Sequence, residues 1–193
     1  MNVFTWSGLL TENNKAFFVS GSSVSVGSFD GPHKGHFLIF RQVLEDSKTN
    51  GTKSGIITFE RPVSSIKQKE NYKGDISTLE ERLNIFESLG FDFTIVIHFD
   101  ETFKQMEGNQ FFLLLKEKIN LKFIAEGEDF HCGKNGSFEK TQIQKFCTQN
   151  DIRSNFVPLL KENGKRISST MIRNLIFEKN TKKAMELLGL SVD

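Results

Sequence analysis

Short apolar runs that end at glycine or proline alternate along this chain with longer stretches of helical periodicity. Val24–Val26, Gly55–Phe59, Phe93–Phe99, Lys122–Ala125 and Ser154–Leu160 read as five strands. Pro32–Asn50 reads as a helix: His36, Phe40 and Val43 share one side, Phe37, Leu38 and Leu44 lie near it, and Gly51 closes it. Thr78 opens a second helix with Glu81 in the capping-box position, and Leu83, Phe86 and Leu89 carry its apolar face to Gly90. Further helices are expected over Asn109–Ile119, Phe138–Gln149, Ser168–Phe177 and Thr181–Leu188. Ile66–Asp75 is polar and reads as a loop, Gly127–Ser137 as a glycine-containing loop, and Asn163-Gly164 as a turn. Residues 1–21 form a lead-in with room for one edge strand.

This alternation predicts an α/β fold: a Rossmann-like, doubly wound parallel five-stranded sheet with helices on both faces. A chain of 193 residues can bury one good core, and it shows no repeat, low-complexity tract or linker. We therefore read residues 1–193 as a single domain. In such sheets ligands sit outside the carboxyl ends of the strands, where the strand order reverses. The stretches with candidate chemistry follow the first, second, fourth and fifth strands, so they gather along one edge.

Charge narrows the partners. With 25 basic and 24 acidic residues the net charge is +1, so nucleic acid and anionic membrane are not expected as partners. Two cysteines, Cys132 and Cys147, make no disulfide framework and suit a reducing compartment. No apolar run approaches the ~18–20 residues of a membrane span, and Met1–Thr11 lacks the pattern of a leader. The expected location is the cytoplasm. Twenty Phe against one Tyr and one Trp predict a phenylalanine-rich core.

The candidate chemistry begins where the first strand breaks, at Gly27-Ser28-Phe29-Asp30-Gly31-Pro32-His33-Lys34-Gly35-His36. A strand end, a tight glycine turn and a helix start whose N–H groups face outward make an anion site. The spacing is neither GxGxxG nor a P-loop. His33 and His36 lie on one face of the first turn, and Gly35 between them spares an approaching nucleotide a Cβ. Two imidazoles beside a positive helix end suit a polyphosphate, although two histidines at a helix cap can also be plain surface residues. Ile167-Ser168-Ser169-Thr170-Met171-Ile172-Arg173 offers three hydroxyls at a helix start and an Arg fork one turn later. Taken alone, that reads as an ordinary capped helix with an exposed Arg.

Together, Gly27-x-Phe29-Asp30-x-x-His33-x-Gly35-His36 and Ile167-Ser168-Ser169-Thr170-x-Ile172-Arg173 resemble the nucleotidylyltransferase superfamily. The variant Phe29-Asp30-Gly31-x-His33-x-Gly35-His36 resembles FAD synthetase, the FMN adenylyltransferase module of bacterial bifunctional riboflavin kinase/FMN adenylyltransferases. Thr58-Phe59-Glu60, Thr78-Leu79-Glu80-Glu81-Arg82 and Gly127-Glu128-Asp129-Phe130 through Gly133-Lys134 agree with it, so the likeness runs from Val24 to Leu188. One of the two prolines of the family's loop is absent from Phe59-Glu60-Arg61-Pro62, and Cys132 stands where the family has Phe.

The resemblance implies transfer of AMP from ATP to FMN with Mg²⁺, giving FAD and pyrophosphate. It implies His33, His36, Ser169 and Arg173 as catalytic residues, and Gly27, Ser28, Phe29, Asp30, Gly35 and Thr170 as the ATP cradle. Phe59, Glu60, Pro62, Asp129 and Phe130 would contact FMN, and no metal ligand is singled out. No riboflavin kinase barrel is expected within the chain, so a separate kinase would supply FMN. Nicotinate mononucleotide or phosphopantetheine as acceptor, and a nucleotide- or flavin-binding module without turnover, remain the alternatives.

Overall fold

The computed structural model describes residues 1–11, 14–67 and 72–189. In chain order the elements are β1 (Asn2–Thr5), α1 (Trp6–Thr11), β2 (Ser22–Val26), α2 (Lys34–Asn50), β3 (Lys53–Phe59), α3 (Val63–Lys67), α4 (Leu79–Ser88) and β4 (Phe93–Ile97). They continue with α5 (Glu101–Lys104), α6 (Gly108–Ile119), β5 (Leu121–Gly127), β6 (His131–Cys132), β7 (Phe138–Glu139) and α7 (Lys140–Gln149). The remainder is β8 (Arg153–Val157), β9 (Lys161–Glu162), β10 (Lys165–Arg166), α8 (Ser169–Phe177) and α9 (Thr181–Leu188).

The central sheet is parallel, in the order β1-β4-β3-β2-β5-β8. It has six strands, not the expected five. The lead-in supplies the sixth: Asn2–Thr5 pairs in parallel with Phe93–Val96 of β4, whose far edge would otherwise expose its backbone groups. Residues 12–13 of the lead-in, and residues 68–71 of the polar loop expected over Ile66–Asp75, lie outside the described residues; that loop also begins inside α3. Phe138 and Glu139 form β7 against β6, so the following helix starts two residues later than expected.

Both faces are covered. Trp6 of α1, Phe112 of α6 and Ile143 of α7 pack with Ile95 and Ile124 on one face. Phe40 and Val43 of α2 and Phe86 of α4 pack with Ile56 on the other. A smaller cluster joins Ile172 of α8 and Leu187 of α9 to Ile76 and Leu160. No helix among the described residues is long and apolar enough to cross a membrane.

Strand order reverses at β2, which lies between β3 and β5. The β2–β5 pairing stops at Val24 and Ile124, while β5 continues alongside β8 to Gly127. The two strands therefore part before their carboxyl ends. Glu126 reaches across the opening, and its Oε1 accepts the Val26 N–H at 2.6 Å.

Candidate active site

A cavity of about 560 Å³ opens at this split. Its first wall is the β2–α2 turn. Phe29 holds a left-handed backbone (φ 45°), uncommon for a residue with a side chain and a recurring feature of functional turns. Its buried ring folds back beneath Gly27, where a Cβ would come within 2.8 Å of it. The ring packs edge-on against His36 and Phe40, at 5.1 and 5.0 Å between centroids. Phe29 thus supports the helix start from below.

His33 caps α2, and its ring stacks on His36 with centroids 3.7 Å apart. His36 Nδ1 accepts the His33 backbone N–H at 3.4 Å, which leaves the ring proton of neutral His36 on Nε2. Burial, with the Arg166 guanidinium nearby, lowers His33 to about 4. Burial, then His33 and Arg166, hold His36 well below the ordinary histidine value. Both rings are therefore neutral at pH 7 and act as hydrogen-bonding groups. His33 Nδ1 is buried without a hydrogen-bond partner on a wall of the cavity, as expected of an atom awaiting a ligand. The space beside Gly35 is taken by that same ring, which a Cβ would approach to 3.2 Å.

The facing wall is the start of α8. Ser168 is its N-cap and accepts the Met171 N–H, while exposed Thr170 lines the cavity. Ser169 and Arg173 line it too, but both also hold the β2–α2 turn. Ser169 Oγ donates to the Asp30 carbonyl at 2.9 Å, and Arg173 Nη2 donates to Asp30 Oδ2 at 2.7 Å. The Asp30 carboxylate is buried and also accepts the N–H groups of Ile76 and Ser77. Its side chain is an anchor between segments. Ser28 likewise accepts the Val63 N–H through its hydroxyl.

Beyond the histidines the cavity becomes apolar. Phe59 packs edge-on against Phe99 and Phe103 there, and Met106, Phe111 and Phe130 complete that lining. Two expected contacts lie off this wall. The Glu60 carboxylate is exposed and bonds His98 Nδ1 at 2.6 Å, which raises the His98 pKa; Pro62 is buried, with its carbonyl accepting from Ser65. Asp129 does line the cavity, paired with Arg166 at 2.5 Å across its mouth.

Arg166 and Glu126 are among the cavity residues that escaped the sequence reading. Arg166 stands directly before the Ile167-Ser168-Ser169 motif, and that position was its signal. Glu126 was visible only as an acidic residue prolonging an apolar run. Burial is the main reason its carboxyl is raised well above the ordinary value, which favours its protonated form in the crevice.

A switch-point crevice with neutral imidazoles on one helix start and hydroxyls on the opposite one suits a nucleotidyltransferase of the α/β class. The sequence profile of the FAD synthetase family matches residues 17–171. A putative bifunctional riboflavin kinase/FMN adenylyltransferase of Geobacillus thermodenitrificans is 30% identical over 180 residues, 92% of this chain and 95% of that protein. The bifunctional riboflavin kinase/FMN adenylyltransferase of Buchnera aphidicola subsp. Schizaphis graminum is also 30% identical; 88% of this chain spans 55% of that one, about half its length. A solved structure from Streptococcus pneumoniae, described as a macrolide-efflux protein, shares the fold at a TM-score of 0.82 and 24% identity, over 98% of this chain and 60% of that one. The chain belongs to the FAD synthetase family.

Proposed function

We propose that this chain is an FMN adenylyltransferase, which transfers AMP from ATP to the phosphate of FMN and releases FAD and pyrophosphate. The observation that carries this reading is the stacked pair of neutral histidines facing the Ser168–Arg173 helix start across the crevice. In the reaction an oxygen of the FMN phosphate attacks the α-phosphorus. The bond from that phosphorus to the bridging β-phosphate oxygen breaks, and pyrophosphate leaves. A phosphomonoester with a second pKa of about 6 is already a nucleophilic dianion at neutral pH, so no strong base is required. Catalysis then rests on positioning and on stabilising charge in the transferring and leaving groups.

His36 donates from Nε2 to the α-phosphate, and His33 binds the polyphosphate. Because both rings are neutral, they act through directed hydrogen bonds. Backbone groups of Gly27 to Asp30 and the first turn of α2 complete the cradle. Ser169, Thr170 and Arg173 attend the β- and γ-phosphates, joined by Arg166 at the mouth of the cavity. The apolar half, with Phe59 and Phe130, takes the flavin ring.

Among the described residues no three His, Cys, Asp or Glu side chains come together as a metal cage. That fits Mg²⁺ arriving as the Mg·ATP substrate, since Mg²⁺ is commonly held by phosphates, waters and few carboxylates. When bound, it neutralises phosphate charge. We further place the activity in the cytoplasm, in one domain of 193 residues, with FMN supplied by a riboflavin kinase outside them.

The test is to incubate the protein with Mg·ATP and, in turn, FMN, nicotinate mononucleotide and phosphopantetheine, then separate the products by chromatography. FAD from FMN alone is the expected result. Adenylylation of another acceptor in preference to FMN overturns the assignment, and no product with any of them points to a binding module.

A further inference from the structure

Arg82 is the largest fully buried side chain among the described residues. It sits in the first turn of α4, behind a capping box in which Thr78 and Glu81 exchange hydrogen bonds. Its guanidinium leaves that helix and ends between two loops. Nη1 lies 2.9 Å from three acceptors that share its two N–H groups: the Ser28 carbonyl, the Thr58 hydroxyl and the Phe59 carbonyl. Nη2 donates to the Glu60 carbonyl at 3.1 Å. Thr58 completes the bridge by donating its own hydroxyl to the Ser28 carbonyl at 3.1 Å.

Ser28 belongs to the turn that carries the histidine pair, whereas Phe59 ends β3 beside the apolar half of the cavity and Glu60 begins the segment after it. One planar cation therefore spans both halves of the site from underneath. Among the described residues no carboxylate forms an ion pair with it. Burial is the main influence lowering its pKa, opposed by Asp30 and Asp75, and a guanidinium so placed stays charged. A buried, unpaired charge is costly unless its hydrogen bonds are met; carbonyls from two separate segments serve Nη1 and Nη2 here, while Nε is buried without a partner.

We propose that Arg82 is a positioning residue for the transfer step: it sets the spacing between the loop that binds the nucleotide and the loop that borders the acceptor. This rests on the reading of the site as a transferase. The chemistry explains why spacing needs such a device. Two anions must meet in line, and a displacement of about 1 Å in such an arrangement can cost on the order of 10²-fold in rate. A fork with fixed geometry holds two loops at a set distance, which the single ammonium of lysine cannot do.

Arg82→Lys keeps the charge and loses the fork. Thr58→Val removes the hydroxyl that Arg82 and Ser28 share, leaving the cation in place. Steady-state kinetics with ATP and FMN varied separately, alongside thermal melts, decide the matter. In Arg82→Lys, kcat is expected to fall about 10²-fold with both KM values within about threefold of wild type. Thr58→Val should show a smaller loss of the same kind, and it alone decides if Arg82→Lys does not fold. Normal kcat in the folded variants overturns the proposal. So does a kcat loss that only follows the folded fraction, or one accompanied by equal rises in both KM values. If the wild type forms no FAD, the transferase reading itself fails; if the wild type is active and the variants equal it, only the role of Arg82 fails.

Discussion

Arg173 and Asp30, 143 residues apart in sequence, form an ion pair of 2.7 Å with side chains 11% and 1% exposed. Asp30 also accepts the N–H groups of Ile76 and Ser77, while Arg173 donates Nε to the Gly74 carbonyl and lies over the Tyr72 ring. The carboxylate thus joins the β2–α2 turn, the approach to α4 and the start of α8. Asp30→Ala strands Arg173 beside an empty site, and breaking a buried pair in this way costs about 3–5 kcal/mol. Arg173→Ala leaves Asp30 with its two backbone donors, so its cost is expected to be smaller. Urea unfolding of the two variants checks the order, which the reverse ranking would contradict.

His36 faces the cavity with Nε2 as donor, held there by its Nδ1 contact and by Phe29. Removing one donor to a transition state typically costs 10²–10³-fold in rate, so His36→Ala should lower kcat by ~10²–10³-fold. Steady-state turnover at saturating ATP and FMN measures this, with circular dichroism to verify the fold. Turnover near that of wild type would remove His36 from the mechanism.

His33 makes stability depend on pH. The unfolded chain takes up its proton near 6.5, whereas the folded protein, held down first by burial and then by Arg166, does so only at about 4. Between those values the unfolded state binds more protons. Stability is therefore full above pH 6.5 and falls as the pH drops toward 4, with a loss from this residue of about 2 kcal/mol at pH 5. Calorimetric melts at pH 7.5 and 5 should show a larger drop in Tm for wild type than for His33→Asn. Equal drops would show that His33 is not held neutral by the fold.

Glu126 has the opposite sign. Its folded pKa is raised, chiefly by burial, so above the ordinary glutamate value the folded state binds more protons than the unfolded one. Stability then falls as pH rises through that interval, and stays lower above the folded pKa. Glu126→Gln keeps an oxygen for the Val26 N–H and does not titrate. It should melt higher than wild type at pH 7.5, with the gain shrinking toward pH 4.5. A gain independent of pH would contradict a raised Glu126 pKa.

The strands β2 to β5 and β8 were legible because their apolar runs end at glycine, proline or polar residues. Their limits were not always so: Phe99 and Leu160 prolong apolar runs, yet both lie beyond their strands on the cavity wall. β1 was hidden because only Phe4 among its four residues is even partly buried, and the β4 edge that pairs with it lies some 90 residues away. The two-residue strands β9 and β10 carry no periodicity, although the Asn163-Gly164 turn between them, with both φ positive, was readable.

In the site, the histidine pair and the Ser168–Thr170 hydroxyls follow from local spacing at helix starts. The work of Arg82, Glu126 and Arg166 does not, because each depends on partners supplied by other elements: Ser28, Val26 and Asp129 respectively. Asp30 adds a role that local spacing did not place: its backbone stays at the cradle, while its carboxylate binds Arg173, the Ile76 and Ser77 N–H groups and the Ser77 hydroxyl.

The most direct test of the central claim is to follow two labels of ATP in the presence of FMN and Mg²⁺. With ³²P at the α-position, the account predicts label in FAD; with ³²P at the γ-position, it predicts label in pyrophosphate, formed in equal amount. Inorganic phosphate as the γ-labelled product, or α-label that never reaches FAD, would contradict it.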